Sequence, residues 1–425
     1  MITALPLHLL PDTAEVSASG RLSIGGLDVC DLAQEHGTPL FIYDEVHLRS
    51  RCNEAVTAWP NGVAYATKAF LCKEMARLAL EEGMSLDVST AGEMHVAVAA
   101  GATGPDLVLH GNNKSDAEID AAIDHGVGRV VVDSFDEIDR LQRLSHGLPD
   151  PISVLIRVTP GVEAHTHEFV TTGVEDTKFG FSLQSGAAAE AAARLRAVPS
   201  LELVGAHAHI GSQVFRVDSF ERAVAMLAPF VVEHRLAELC VGGGLGVAYV
   251  TGESAPTMSE WADAVSAACV ENGVPQATRI TAEPGRSIVA AAAITVYRVG
   301  TVKSLPGVRD FVSVDGGMSD NPRPVLYGSG YEAFLPQRTT HERPRAADVV
   351  GKHCESGDFI VKNASLPEEI SVGDFLATPV TGAYGHTMAS NYNKVPRPEV
   401  LFVRDGRARV VVKRETLDDL LRLDL

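Results

Sequence analysis

Several short apolar runs of this chain end in residues that could do chemistry. Lys68 follows Val63-Ala64-Tyr65-Ala66, where a strand-like run gives way to a helix-like one. An ammonium is a strongly hydrated point charge, so a dry strand end would depress its basicity and leave an amine able to form a Schiff base with an aldehyde. The plainer role for such a lysine is to reach solvent while its stem covers apolar surface. Further runs end in Asp87, in His110 and Asn112, in Arg157, in His209 with Gly211-Ser212, in Gly242-Gly243-Gly244-Leu245-Gly246, and in Glu283-Pro284-Gly285-Arg286. Glycines, and a Gly-Arg pair, suit a phosphate because backbone N–H groups must approach the anion without side chains in the way.

Glu283 adds a different demand. A carboxylate beside a ring nitrogen keeps that nitrogen protonated, which makes a pyridinium a full electron sink for a carbanion. An amine nucleophile, a phosphate cradle and this carboxylate together point to pyridoxal 5′-phosphate, with loss of CO2 favoured over simple proton exchange. Asp87 and Asp133 also suit helix N-caps, Asp133 more than Asp87. The pairs His165/His167 and His207/His209 each place two rings on one strand face, as a zinc pair would. Neither has a third ligand at zinc-like spacing, so no metal is expected, and His209 is assigned as a plane for a flat cofactor to stack on.

These residues need a scaffold that gathers strand ends. Between about residues 41 and 295, the runs 62–66, 85–88, 107–110, 129–132, 153–158, 203–209, 237–241 and 279–282 alternate with Ala-rich amphipathic stretches. Eight β-α units of this size match a (β/α)8 barrel, an α/β fold whose active sites lie at the C-terminal strand ends. After residue 295 the texture becomes Val-rich and turn-punctuated, and the hairpin-like Ser23-Ile24-Gly25-Gly26-Leu27 fits the same mostly β domain. The expected division is an N-terminal segment 1–40 joining the β domain, a barrel 41–295 and a β domain 296–425.

At 425 residues the chain is long for one core, and its net charge of −19 repels phosphate backbones, which argues against a nucleic-acid partner. The longest apolar stretch, Ile288 to Tyr297, is far short of the roughly 20 residues of a membrane span. No basic segment precedes an apolar one at Met1 to Pro11, and the six cysteines have no framework spacing. No membrane partner and a cytoplasmic location are expected.

The motifs Tyr65-Ala-Thr-Lys68, His209-Ile-Gly-Ser-Gln213, Gly242-Gly-Gly-Leu-Gly246, Glu283-Pro-Gly-Arg286, Asp315-Gly-Gly-Met318, Arg323-Pro-Val-Leu-Tyr327, Cys354-Glu-Ser-Gly-Asp358 and Gly382-Ala-Tyr384 occur in an order that resembles the diaminopimelate decarboxylase family. That family lies within the alanine racemase-like, fold type III class of pyridoxal phosphate enzymes. The resemblance implies that Lys68 carries the cofactor, His209 stacks on its ring and Glu283 contacts its nitrogen. Ser212, Gly243, Gly244, Pro284, Gly285, Arg286 and Tyr384 would surround the phosphate or its edge, with Asp87 and Arg157 at neighbouring strand ends. It further implies a homodimer in which Cys354, from a second subunit, donates the proton to the carbanion. A thiol beside Glu355 and Asp358 has no aliphatic neighbourhood, and its ordinary pKa of ~8.5 leaves it protonated at neutral pH.

The resemblance assigns Arg323 and Tyr327, with Arg286 and Tyr384, to the substrate's distal carboxylate, and Glu355 to its distal ammonium. An arginine fork matches a carboxylate that a diamine-forming ornithine decarboxylase would not meet. The implied reaction is decarboxylation of meso-2,6-diaminopimelate to L-lysine, the last step of lysine biosynthesis. The alternatives are a decarboxylase of a related basic amino acid and a non-catalytic descendant, against which Lys68 and Cys354 both argue. Phe70, where many members have Asn, and Asn321-Pro322, where others have an aliphatic pair, depart from the family pattern.

Overall fold

The computed structural model describes residues 7–162 and 177–425. The chain forms two compact units, one of residues 51–246 and 255–287, the other of 1–50, 247–254 and 288–425.

The first unit is a parallel barrel of eight strands: β1 Ala64–Ala66, β2 Ser85–Val88, β3 Leu107–Leu109, β4 Arg129–Val132, β5 Ile152–Thr159, β6 Leu201–His207, β7 Glu238–Cys240 and β8 Arg279–Thr281. They pair in chain order, β1 to β8. A parallel bridge between Val63 and Ala282 closes the ring, and the N–H of Ala66 bonds the carbonyl of Pro284 at 3.1 Å. Among the described residues seven helices link the strands: α1 Lys73–Glu81, α2 Ala91–Ala100, α3 Asp116–Asp124, α4 Phe135–Leu144, α5 Ala187–Ala197, α6 Asp218–Glu233 and α7 Met258–Glu271. The barrel strands lie within one or two residues of the expected runs, because buried parallel strands read as short apolar blocks.

Four helices start on a Ser/Thr-x-x-Glu signal. At α3 (Ser115, Glu118) and α7 (Thr257, Glu260) the capping box is reciprocal. At α2 and α4 the caps are Thr90 and Ser134, but the glutamates reach one residue further back. Glu93 accepts from the Ser89 N–H at 2.6 Å and Glu137 from the Asp133 N–H at 2.8 Å, tying down the loops after β2 and β4. Asp133 and Asp87 are therefore not helix caps: Ser134 and Thr90 hold those positions, and Asp87 lies within β2.

In the second unit the strands run in the order 359–366, 345–350, 309–314, 293–305, 40–44, 399–404 and 407–412, with 375–379 also paired to 293–305. Leu40–Asp44 is buried along its whole length, antiparallel to 293–296 and parallel to 399–403. The hairpin at Gly25-Gly26 builds a separate three-stranded sheet from Glu15–Val16, Leu22–Ile24 and Leu27–Asp28. Its Leu22 and Ile24 join Leu40, Ile294, Phe334 and Val403 in one core, so burial ties the N-terminal segment to the sheet. Among the described residues, no helix is long and apolar enough to cross a membrane.

Candidate active site

The barrel gathers its chemistry at the C-terminal ends of its strands. Lys68 stands on a short 3-10 turn, Thr67–Ala69, directly after β1. It is exposed, so the chain itself does not enclose it in the dry environment expected from sequence. The turn is fixed from both sides: the Thr67 hydroxyl donates to the carbonyl of Asp87 at 2.8 Å, and the Tyr65 hydroxyl to that of Phe70 at 2.7 Å. Phe70, the departure from family pattern, is fully buried.

Glu283 follows β8 and is 6% exposed. Its Oε1 lies 2.8 Å from His110 Nε2 and its Oε2 lies 3.0 Å from His207 Nε2. Burial alone would raise this carboxyl, yet the two imidazoles hold it well below the usual carboxylate range. Glu283 is therefore ionised. Asp87, 3.8 Å from His110 Nε2, is pushed the other way by burial and by the charge of Glu283, and its Oδ1 has no hydrogen-bond partner. Two carboxylates close together in a dry site take up opposite tendencies.

His209 lies two residues past β6. The Gly243 N–H donates to its Nδ1 at 3.2 Å, so the neutral ring carries its proton on Nε2. Burial, with the charges of Lys68 and Arg157, keeps this imidazole well below its ordinary pKa. A neutral, oriented ring suits the stacking plane expected of His209. His207 and His209 thus serve different partners, and His165 and His167 lie outside the described residues.

The glycine loop after β7 is packed against its neighbours. A Cβ on Gly243 would lie 2.2 Å from the Glu283 carbonyl, and one on Gly244, at φ +115°, would lie 2.2 Å from that of Gly211. Only glycine fits at either position. Arg286 Nη2 donates to the Ser212 hydroxyl at 2.9 Å, joining the loops after β6 and β8. Pro284 and Gly285 are buried between Glu283 and Arg286. Arg157, on β5, is held by Asp133 at 3.3 Å, and the Gly180 N–H donates to the other oxygen of Asp133 at 2.7 Å. These residues fit pyridoxal phosphate: an amine on a fixed turn, a neutral ring, an ionised carboxylate for the ring nitrogen, and a glycine cradle that a Cβ would fill, with a serine and an arginine beside it.

His110, His207 and Glu283 also offer ligand atoms within 4.8 Å of one another. Each carboxylate oxygen faces its own Nε2 at hydrogen-bond length, so hydrogen bonding alone accounts for the contacts within this group.

The sheet unit carries a second group. Arg323 opens the helix Arg323–Tyr327 and is 4% exposed. Its Nη1 donates to the Tyr331 hydroxyl at 2.5 Å, and its Cζ lies 4.2 Å from the centroid of the Tyr249 ring. Burial opposes the charge, but the two tyrosines outweigh it and raise the guanidinium further. Among the described residues no carboxylate pairs with Arg323. Tyr327, half-buried, lies four residues along the same helix and shares its face with Arg323. Tyr384 is also half-buried and adopts a left-handed φ of 57°, a conformation that recurs where loops are held for function.

Cys354 and Glu355 are exposed on a turn before the strand 359–366. The Cys354 N–H donates to Asn393 Oδ1 at 3.1 Å, and the Tyr392 hydroxyl to Glu355 Oε2 at 3.3 Å. Asp358, which sequence grouped with the thiol's polar neighbours, is buried instead. It accepts from the Met318 N–H at 2.7 Å and the His353 N–H at 2.9 Å, and so clamps the base of the turn. Of the six cysteines only Cys354 is exposed. Sequence reading missed the roles of His207, Asp133, Tyr249 and Tyr331. His207 had a signal in its His-x-His spacing, but the two tyrosines had none.

Comparison with known proteins agrees with this geometry. Residues 45–290 match the family of pyridoxal-dependent decarboxylases through its pyridoxal binding domain. The chain is 46% identical to the diaminopimelate decarboxylase of Mycobacterium tuberculosis over 99% of both chains, and 43% identical to that of Bacillus subtilis over 98% of both. Its fold is similar to the crystal structure of diaminopimelate decarboxylase from M. jannaschii, with a TM-score of 0.91 at 30% identity, covering 97% of this chain and 98% of the other. The enzyme from Helicobacter pylori, solved in complex with L-lysine, gives a TM-score of 0.85 at 31% identity over 93% of this chain and 98% of that one. The chain therefore belongs to the diaminopimelate decarboxylase family of pyridoxal-dependent decarboxylases.

Proposed function

We propose that this chain releases CO2 from meso-2,6-diaminopimelate to leave L-lysine, with pyridoxal 5′-phosphate as its cofactor. Pyridoxal phosphate, when bound, supplies an aldehyde that captures the substrate amine and a ring that accepts the electron pair left by CO2. Lys68 is the amine that holds and releases it. Glu283 keeps the ring nitrogen's proton in place, and His209 presents a neutral flat face. Ser212, Gly243, Gly244, Gly285 and Arg286 serve the phosphate, with Tyr384 at its edge, and Asp87 and Arg157 complete the charged rim. Cys354, contributed by the partner copy in a homodimer, returns a proton to the carbon that lost CO2.

The observation that carries the substrate is Arg323: a buried guanidinium, fixed by two tyrosines, for which no described carboxylate is the counter-ion. A distal carboxylate, shared with Tyr327 and Arg286, satisfies it, and Glu355 takes the distal ammonium. Lysine, ornithine and arginine have no such carboxylate. The enzyme works in the cytoplasm with small amino acids, not with membrane or nucleic acid. The test is CO2 release by the purified holoenzyme from diaminopimelate, lysine, ornithine and arginine in parallel. Preference for diaminopimelate by at least ten-fold supports the reading, and equal or better turnover of a simple diamino acid sinks it.

A further inference from the structure

Glu283 is held by two imidazoles that are not equivalent. His110 Nε2 faces Glu283 Oε1 at 2.8 Å and Asp87 Oδ1 at 3.8 Å, so one ring serves two carboxylates. Both acidic groups raise its basicity against the effect of burial. His207 faces Glu283 alone, and burial lowers it to about 4. It is therefore neutral, donates from Nε2, and leaves Nδ1 buried without a hydrogen-bond partner. The rings stand 4.9 Å apart at 70°, so they grip the carboxylate from different directions.

Other charges bear on the cluster. Lys68 after β1 and Arg157 on β5 act on Asp87 along with His110, all three opposing the effect of its burial. Cys240 on β7 is held protonated by burial and by Glu283, and His209 is neutral. Of the two rings in hydrogen-bond contact with Glu283, His110 alone stands between two carboxylates, so it is the one on which the surroundings favour a second proton.

A carboxylate and a ring nitrogen that share a proton can place it on either atom. A cation on the carboxylate makes it the poorer base and pushes the proton to the ring. We propose that His110 and His207 are positioning residues for Glu283: His110 supplies an imidazolium, His207 a neutral donor, and together they keep the shared proton on the cofactor's ring nitrogen. This step rests on the reading of Glu283 given under the proposed function.

The test uses holoenzyme carrying pyridoxal phosphate labelled with 15N in its ring, in the wild type and in the variants His110→Gln, His207→Gln and Glu283→Gln. Glutamine keeps a donor near the Nε2 position but carries no charge. The ring nitrogen should be protonated in the wild type and lose that signature in His110→Gln, with kcat falling roughly 10- to 100-fold, the scale on which partners that orient a functional group act. His207→Gln should cost less and leave the ring nitrogen protonated. Retention of the proton in His110→Gln, or equal losses in the two histidine variants, overturns the proposal. So does stoichiometric zinc in the wild type that His110→Gln abolishes. Glu283→Gln separates the two layers: if it leaves the ring nitrogen protonated, the reading of Glu283 itself fails. Should His110→Gln not fold, 15N-histidine spectra of the wild-type holoenzyme decide. One ring protonated on both nitrogens at pH 7 beside one with a bare Nδ1 supports the assignment, and two neutral rings overturn it.

Discussion

Replacing Arg323 by alanine tests substrate choice most directly. The side chain is 4% exposed, so its partner charge is desolvated and the loss is not screened by water. Truncating one member of a buried, hydrogen-bonded charge pair costs roughly 2 to 5 kcal/mol, or about 30- to 4,000-fold in kcat/KM at ~1.4 kcal/mol per decade. The upper part of that range is expected, because the Tyr249 face and the Tyr331 hydroxyl fix the fork before substrate arrives and little ordering cost offsets the interaction. Lysine lacks the distal carboxylate, so its weak turnover should hardly change and discrimination between the two substrates should shrink by nearly the whole factor. Coupled assay of CO2 release gives kcat/KM for each. Circular dichroism and a melting curve show whether the variant, which leaves the Tyr331 hydroxyl without its guanidinium, still folds. Equal falls on both substrates in a folded variant would refute the distal-carboxylate role, and Arg323 would then be a packing residue between two tyrosines.

Three further outcomes are expected. Lys68→Ala should abolish turnover with native circular dichroism, since the exposed amine contributes no packing; more than a few per cent of wild-type activity without added amine would place the cofactor lysine elsewhere. Cys354→Ala should slow turnover by about 10²- to 10⁴-fold with cofactor binding unchanged, and mixing it with Lys68→Ala protein should restore partial activity if the thiol acts across a dimer. No recovery in verified hybrids would remove it from the partner's site. Burial pushes Asp320 up to about 7 despite hydrogen bonds from Tyr297 and Gly317. Its folded pKa exceeds the unfolded value, so the folded state binds the extra proton and stability falls as pH rises from about 4 to 7, by ~4 kcal/mol in all. Asp320→Asn should raise Tm at pH 8 and change it little at pH 4; a gain that is the same at both pH values would show that Asp320 does not titrate in this range.

The barrel was legible because its signals are local. Each strand falls on one short apolar run, four Ser/Thr-x-x-Glu signals mark barrel helix starts, and the reactive residues sit at the ends of the runs, where the fold puts its active site. Roles that depend on distant pairs were not legible. Glu283 is 173 residues from His110 and 76 from His207, and no local pattern announces that the three meet. Asp133 illustrates the opposite error: the position beside a helix start suggested a cap, but the next residue, Ser134, has the hydroxyl that fits the N-cap, and the carboxylate turned to Arg157 and Gly180 instead.

The surroundings of Arg323 show why specificity is harder to read than chemistry. Tyr249 belongs to residues 247–254, which in sequence lie between β7 and α7 of the barrel but pack with the sheet unit. A strand count assigns that stretch to the barrel, so the ring on which the arginine rests appears in sequence to belong to another domain. The residues proposed for the chemistry answer what any amino acid bound to pyridoxal phosphate requires, and they stand at strand ends. Arg323, the residue proposed for specificity, is recognisable as an arginine, but its fixed orientation comes from two tyrosines that neither spacing nor charge marks out. Their 5.3 Å edge-to-face contact makes one wall out of two separate segments, and that wall gives a flexible guanidinium the rigidity that the proposed discrimination between substrates differing by one carboxylate requires.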